Sequence, residues 1–341
     1  MDRTQLLFKT LVECYIRDGQ PVGSRHLLQM AELPLSSATV RNVMAQLEEK
    51  GLLAAPHASA GRVPTQQGYR LFVDRLLTTE AVNEGTVQAL ASELTPGQSP
   101  RDLVEKASAC LAELTRHAGL VMVPRRDLVD LRQIEFVRLD ERRVLAIVVC
   151  ANGDVQNQLI HTERPFDEAE LTRASNYLNH HFAGKSLGEI SQGLLRGLRD
   201  DQSQLDSLLR GAVSLAERAF AARPASDYVL SGEANLVRLA ETGGVDRLQE
   251  LFQAFTAKRD ILHLLDRCQQ AEGVEIYIGS ESGYAPFGDL TLVTAPYAAN
   301  GRVLGRLAVI GPTRMAYQRV IPLVEVTATI LSRALSSPDN P

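Results

Sequence analysis

The sequence predicts an α+β protein with a small helical N-terminal head and a larger body, in which two groups of strands flank a long helical block. Three observations support this class. Apolar residues recur at helical spacing through the first fifty residues. Segments rich in Val, Ile and Leu with strand character follow residue 117 and return after residue 273. Between them the pattern is mainly helical, which favours one α+β domain interrupted by an insertion.

The head begins with two short amphipathic helices, and a third follows over residues 36–51. Two serines precede the third helix and can cap it, and Gly51 can adopt the left-handed conformation that ends it. The inward stripe has the spacing i, i+3, i+4, i+7 and consists of Val40, Val43, Met44 and Leu47. The opposite stripe consists of Ala38, Arg41, Asn42, Ala45 and Glu49. Arg and Asn can make bidentate contacts to guanine and adenine edges, so this face is typical of a DNA-reading helix.

Two short strands, 52–54 and 62–64, are expected after this helix, closed by the loop 55–61. Helix-turn-helix plus such a hairpin predicts a winged helix, in which the third helix enters the major groove and the wing tip lies on a phosphate or in the minor groove. We place His57 and Arg62 at that tip. The predicted DNA contacts are Ser37, Thr39, Arg41, Asn42, His57 and Arg62. The alternative is an ordinary compact helical domain whose exposed arginine is merely solvated.

The head and the body differ in net charge. Residues 1–75 contain nine Lys or Arg and seven Asp or Glu, a net charge of +2, whereas the whole chain carries -5 and the remainder therefore -7. An acidic body repels phosphate, so nucleic acid should meet only the head. One head of charge +2 binds weakly, which favours a symmetric dimer on an inverted repeat of double-stranded DNA.

Composition limits the remaining classes of protein. A chain of 341 residues with 45% hydrophobic content can form two or three domains with their own cores. It contains no apolar run of membrane length and starts without a secretory signal, so we expect a cytoplasmic protein with no membrane partner. The four cysteines are scattered without CxxC pairing, and we expect no metal and no cofactor.

Patterns typical of enzymes are incomplete. Gly184-Lys185-Ser186 resembles the end of a phosphate-binding loop, but Asn179 stands where the first glycine is needed. The run 279–283 has Glu281 where a nucleophile elbow requires serine. We therefore do not expect an enzyme.

In the body, a helix over 65–77 leaves the wing, and breakers make 78–100 the best boundary. A helix over 101–117 follows. Strands are expected at 120–123, 131–139, 144–150, 155–160, 228–232, 274–278, 290–294 and 303–310, and a helix at 317–335.

Two further segments of the body have candidate roles. The helical block contains leucines that are candidates for a dimer surface or for internal packing: Leu194, Leu195, Leu205, Leu208 and Leu209. Within 311–315, Gly-Pro should end a strand, Thr313 could cap the last helix, and Arg314 is expected in a buried or interdomain position.

Several motifs together resemble one known family. They are Ser37-Ala38-Thr39-Val40-Arg41-Asn42, Ala60-Gly61-Arg62-Val63-Pro64-Thr65, Gly68-Tyr69-Arg70, Tyr277-Ile278-Gly279 and Gly311-Pro312-Thr313-Arg314-Met315-Ala316-Tyr317. Over essentially its whole length the chain resembles HrcA, the heat-inducible transcription repressor family. The resemblance implies a winged-helix domain, a GAF-like domain and an inserted dimerising domain. It also implies a homodimer that represses chaperone operons at an inverted-repeat operator, called CIRCE, and that depends on the GroE chaperonin.

Combined with the residue patterns, the resemblance predicts five ranges. They are 1–77 for the winged-helix domain, 78–100 for a linker, 101–185 and 263–341 for the two parts of the GAF-like domain, and 186–262 for the inserted dimerisation domain. Two alternatives stay open. One is a repressor that senses a small molecule under the sheet of the GAF-like domain. The other is an enzyme whose head is only a protein-interaction module.

Overall fold

The computed structural model describes residues 2–31, 33–57, 61–124, 130–151, 155–186, 189–190, 215, 228–237, 261, 265 and 273–336. Helices and antiparallel sheets are both extensive in this part of the chain, which confirms the predicted α+β class.

The head consists of three helices and a short hairpin. The helices are α1 (Arg3–Asp18), α2 (Ser24–Ala31) and α3 (Ser37–Glu49), and the hairpin pairs β1 (Leu53–Ala54) with β2 (Val63–Pro64). Both sharp chain reversals after a helix use glycine with a positive φ of 71°, Gly19 after α1 and Gly51 after α3. The apolar faces of the helices meet in one core that includes Leu7, Phe8, Leu11, Val40 and Leu47.

The hairpin leads into α4 (Gln66–Leu71), which continues as a π-helical turn over Phe72–Leu76. A further helix, α5 (Glu84–Glu93), lies inside the range predicted as a linker. Its buried residue Leu90, with Leu94 just beyond its end, belongs to the same apolar core as the head. The segment between head and body is therefore packed against the protein.

The body is centred on a five-stranded antiparallel sheet. Its strands are β3 (Ala118–Met122), β7 (Tyr228–Ser231), β8 (Glu275–Ile278), β9 (Leu290–Ala299) and β10 (Arg302–Pro312), in the order β7-β3-β10-β9-β8. Side chains alternate between its two faces, as the pleat of a strand requires. Val293 and Val309 join the core formed with α6 (Pro100–Thr115) and the C-terminal helix, and Leu292 and Ile310 point to a second core.

A second sheet stands apart from the first. Strands β4 (Leu131–Arg138), β5 (Arg143–Cys150) and β6 (Val155–His161) pair in that order, and α7 (Glu168–Phe182) covers one face with its own apolar core. The amide of Asn179 also covers the edge of β4, because its Oδ1 accepts from the N–H of Ile134 at 2.7 Å and its Nδ2 donates to the carbonyl of Ile134 at 3.0 Å.

The predicted domain boundaries stay predictions. β7 and α8 (Glu233–Val237) lie within 186–262, and β7 pairs with β3 of the main sheet. β4–β6 lie within 101–185 and form a separate sheet. The leucines at 194, 195, 205, 208 and 209, which were considered for the dimer surface, lie outside the described residues.

The last helix, α9, covers Tyr317–Ser336 and closes the body. It begins four residues after Thr313, so the expectation that Thr313 caps it was wrong. The carbonyl of Thr313 instead accepts a hydrogen bond from the Tyr317 hydroxyl at 2.6 Å.

Candidate nucleic-acid interface

The exposed face of α3 is presented by a capped N-terminus. The Oγ of Ser36 accepts a hydrogen bond from the N–H of Thr39 at 3.1 Å, and the two hydroxyl oxygens are 2.9 Å apart. Thr39, Arg41 and Asn42 are exposed, and Ser37 is half-buried at the first position of the helix. The exposed Ala38 and Ala45 of the same helix have small side chains, which allow a close approach to another surface.

Arg41 is tied to the preceding helix. Its Nε donates to the Oγ of Ser24 at 3.3 Å, and Ser24 is the first residue of α2. The bond limits the rotamers of a long side chain, so the guanidinium is held near the front of α2 and α3 rather than moving freely in solvent.

Arg62 occupies a different place from the one expected. Its backbone N–H and carbonyl pair with those of Val22, both at 2.9 Å, so it lies on the strand side of the hairpin, next to β2, rather than at the tip. Its Nε and Nη2 both lie 2.8 Å from Oε2 of Glu48 near the end of α3. The hairpin is thereby connected to two other parts of the head, through the backbone of Val22 and the carboxylate of Glu48.

His57 is exposed on the first side of the wing loop, and residues 58–60 lie outside the described residues. The structure thus brings Ser37, Thr39, Arg41 and Asn42 together on one helix. Of the other two predicted contacts, Arg62 is paired with Glu48 whereas His57 is exposed. Glu48 was missed by the sequence reasoning because a half-exposed glutamate on a helix carries no signal that identifies its partner.

Three features of the described residues bear on other functions. Within the described residues, no helix is both long and apolar enough to cross a bilayer. The same part of the chain contains no group of three His, Cys, Asp or Glu side chains suited to a metal ion. A cavity of about 420 Å³ lies between α5 and α9, lined by Ala91, Leu94, Pro96, Ile330, Arg333, Ala334 and Ser336. None of these lining residues belongs to a strand of the five-stranded sheet.

Comparison with known proteins finds a family model and several named relatives that match this chain. Residues 101–321 match the family model described as the HrcA protein C terminal domain. The chain is similar to proteins named heat-inducible transcription repressor HrcA. One from Xanthomonas euvesicatoria pv. vesicatoria is 49% identical over 336 residues, covering 98% of this chain and 96% of the relative. Another from Chromobacterium violaceum is 48% identical, covering 98% of each chain.

A relative from Methylobacillus flagellatus with the same name is 46% identical over 336 residues. Among solved structures, a crystal structure described as that of a hypothetical protein has a TM-score of 0.64 and 23% identity, and covers 99% of each chain. At this identity the likeness concerns the fold alone.

Proposed function

Because this chain belongs to the HrcA family of heat-inducible transcription repressors, which makes it a negative regulator of heat-shock transcription rather than an enzyme, we propose how it binds its operator. It acts as a homodimer. Each N-terminal head is a winged helix-turn-helix, and the two heads grip an inverted-repeat duplex of the CIRCE type.

The observation that carries this proposal is the exposed face of α3. Small residues at its front allow the helix to enter a major groove, and Arg41 and Asn42 have the donors and acceptors that distinguish guanine and adenine edges. Ser37 and Thr39, near the N-terminus of the helix, suit contacts to phosphate oxygens.

The wing supplies the second contact. His57 is exposed on it and approaches the duplex backbone. The bonds from Arg62 to Glu48 hold the wing against α3, so that the helix and the wing meet the DNA as one surface. Arg62 in this arrangement acts mainly by positioning, and any phosphate contact it makes is secondary.

The homodimer forms through the outer face of the three-stranded sheet, which lies outside the range 186–262 expected from the sequence to carry the dimer contact. Large apolar side chains there are unusually exposed, with fractions of 42% for Val137, 50% for Leu139, 55% for Val155 and 44% for Leu159. Cross-strand pairing places Val137 beside Leu145 and Leu145 beside Leu159, so the patch is continuous. A second copy is the occupant we propose, because a two-fold contact covers the same patch on both chains and brings two weakly charged heads onto one duplex.

The stability of the body, which the resemblance describes as GAF-like, determines how much of the repressor is folded and able to bind the operator. Loss of one or two kcal/mol changes the folded fraction of a marginally stable protein severalfold, and a dimer adds a dependence on concentration. The supply of GroE chaperonin then determines how much active dimer exists. When heat-damaged proteins occupy the chaperonin, repressor is lost and transcription begins.

Footprinting of the purified protein upstream of chaperone genes, at two temperatures and with and without chaperonin, tests the proposal. We expect a symmetric protected site that weakens on heating and recovers with chaperonin. Equal binding to the palindrome and to scrambled DNA would refute the DNA-binding role. Affinity indifferent to both temperature and chaperonin would refute the folding mechanism while leaving the DNA-binding role intact.

A further inference from the structure

Three sequence motifs outside the DNA-facing surface meet at one place. They are Gly68-Tyr69-Arg70 on α4, the segment Tyr277–Glu281 at the end of β8, and the run 311–317 between β10 and α9. Together they form the contact between head and body, called here the junction. We infer that the junction fixes the head on the body and so selects the distance between the two operator half-sites. This inference rests on the proposed homodimer on an inverted repeat.

An arginine fork is the polar centre of the junction. Arg70 donates from Nε to Oε1 of Glu281 at 3.0 Å, and its Nη2 bonds both Oε2 of the same carboxylate and, at 2.6 Å, the carbonyl of Ile276. The carboxylate is itself held by the N–H of Ile278 at 2.8 Å. The side chains of Arg70 and Glu281 are 31% and 30% exposed, and a charge-assisted pair with two parallel hydrogen bonds is stronger than a bond between neutral groups.

Gln66 makes a second connection one helical turn earlier. Its Nε2 donates to the carbonyl of Ile278, and its Oε1 accepts from the hydroxyl of Ser280 at 3.0 Å. Gly279 between these partners has φ of 57°, and a Cβ there would lie 3.0 Å from the Gln66 amide. Any other residue at this position would therefore strain the backbone and crowd the contact.

Apolar packing joins the two parts as well. The rings of Tyr69 and Tyr317 have centroids 6.1 Å apart, and both residues are buried. They belong to one continuous apolar core that includes residues of α1 in the head and of α9 in the body. Arg314, for which a buried or interdomain position is expected from the sequence, is exposed, and it also lies at this contact. Its guanidinium is so close to Gly19 that a Cβ on Gly19 would be 1.7 Å from Nη1.

A head held at several separate points cannot rotate as a unit without breaking them. In the dimer, the separation and relative rotation of the two heads are then set by the body. Each base pair added between half-sites moves one of them by about 3.4 Å and turns it by about 35°. Firmly held heads therefore engage both halves at one spacing only, whereas loosened heads tolerate several spacings with a lower effective concentration.

The test uses the footprinted operator with its spacer lengthened or shortened by one to five base pairs. The measured quantity is the ratio of the Kd at each altered spacing to the Kd at the native spacing. For the wild-type protein we expect a ratio of about 100 or more, the range typical of lost bivalency. For Glu281→Ala we expect about 10 or less, because affinity falls at the native spacing and is retained at others.

Glu105→Ala is the matched control, since it breaks an exposed pair with Arg101 on α6 and should leave the wild-type ratio unchanged. Gln66→Ala is a milder second variant and is measured in place of Glu281→Ala if that protein does not fold. It should give a ratio between those of the wild type and Glu281→Ala. Discrimination between a single half-site and its scrambled form is read in parallel, because it reports on α3 alone.

Unchanged half-site discrimination with a reduced spacing ratio supports the inference. A wild-type spacing ratio in folded Glu281→Ala or Gln66→Ala overturns it while the DNA-binding role stands. Loss of discrimination by the wild-type protein between palindromic and scrambled DNA defeats the proposed function instead.

Discussion

Two nitrogens of the Arg62 guanidinium, Nε and Nη2, lie 2.8 Å from the same oxygen, Oε2 of Glu48. This pair joins the hairpin of β1 and β2 to the end of α3, and the proposed operator contact uses these two elements together. Arginine near DNA is commonly assigned to phosphate, but an arginine whose donors already engage a carboxylate contributes chiefly by orienting the backbone that carries it.

If the Arg62–Glu48 pair positions the hairpin, removing the negative charge of Glu48 should weaken operator binding rather than strengthen it. Glu48→Gln should weaken operator binding by about two- to fivefold, since a part-exposed ion pair contributes up to about 1 kcal/mol to holding the wing. Glu49→Gln is the comparison, because Glu49 is an exposed neighbour on the outward stripe of α3, and removing its charge there should leave affinity unchanged or raise it. Gel shifts on one duplex measure both variants. If Glu48→Gln fails to weaken operator binding, or raises the affinity as Glu49→Gln does, a positioning role for Glu48 is contradicted.

Arg41 should carry sequence discrimination. Arg41→Ala is expected to reduce the preference for operator over scrambled duplex by about 1–3 kcal/mol, because a bidentate base contact is lost. Titrated gel shifts on the two duplexes measure the preference, and Arg101→Ala on α6 serves as an arginine control with no change expected. If Arg41→Ala weakens both duplexes equally, Arg41 contacts phosphate rather than bases.

The N-cap of α3 should be measurable as stability. Ser36→Ala removes the acceptor for the Thr39 N–H and should lower the free energy of unfolding by about 1 kcal/mol. Ser36→Asp keeps an acceptor at the same place and should retain most of that stability. Urea titrations followed by circular dichroism compare the three proteins. Equal loss in both variants would show that the hydroxyl matters for some other contact.

His117 should make stability depend on pH. Burial lowers the pKa of His117 from 6.5 to about 4, so the folded protein keeps it neutral while the unfolded chain takes up a proton. The stabilisation is present above pH 6.5 and is lost as pH falls toward 4. Between pH 7 and pH 4 the urea midpoint of the wild type should fall further than that of His117→Gln, because glutamine takes up no proton on unfolding. Parallel pH profiles for the two proteins would assign the acid sensitivity to other groups.

The dimer contact should depend on the exposed face of the three-stranded sheet. Leu159→Glu places a charge in the apolar patch and should convert the dimer to a folded monomer, with operator affinity reduced by about 100-fold or more through lost bivalency. Val303→Glu, at an exposed apolar position on the five-stranded sheet, is the matched control and should remain dimeric. Sedimentation or light scattering gives the mass. A dimeric Leu159→Glu would move the contact elsewhere.

Local patterns in the sequence were sufficient for most elements. The helical spacing predicted α1–α3, and the alternation of apolar residues predicted β4, β5 and β6 to within one residue of their observed ends. The third helix with its polar face could also be read directly, because capping, periodicity and exposed residues are properties of neighbours in the chain. The residues proposed to read DNA follow from that same local pattern.

Partners distant in the sequence were decided by the tertiary structure. The sequence could not indicate that Arg62 pairs with Glu48, or that Arg70 closes on Glu281, because a charge on a helix is compatible with many partners until folding brings two segments together. Nor could it show that β4–β6 form a sheet apart from β3, since strand pairing depends on long-range packing rather than on the pattern within each strand. Periodicity thus determined what each segment is, and packing between segments decided what each side chain touches.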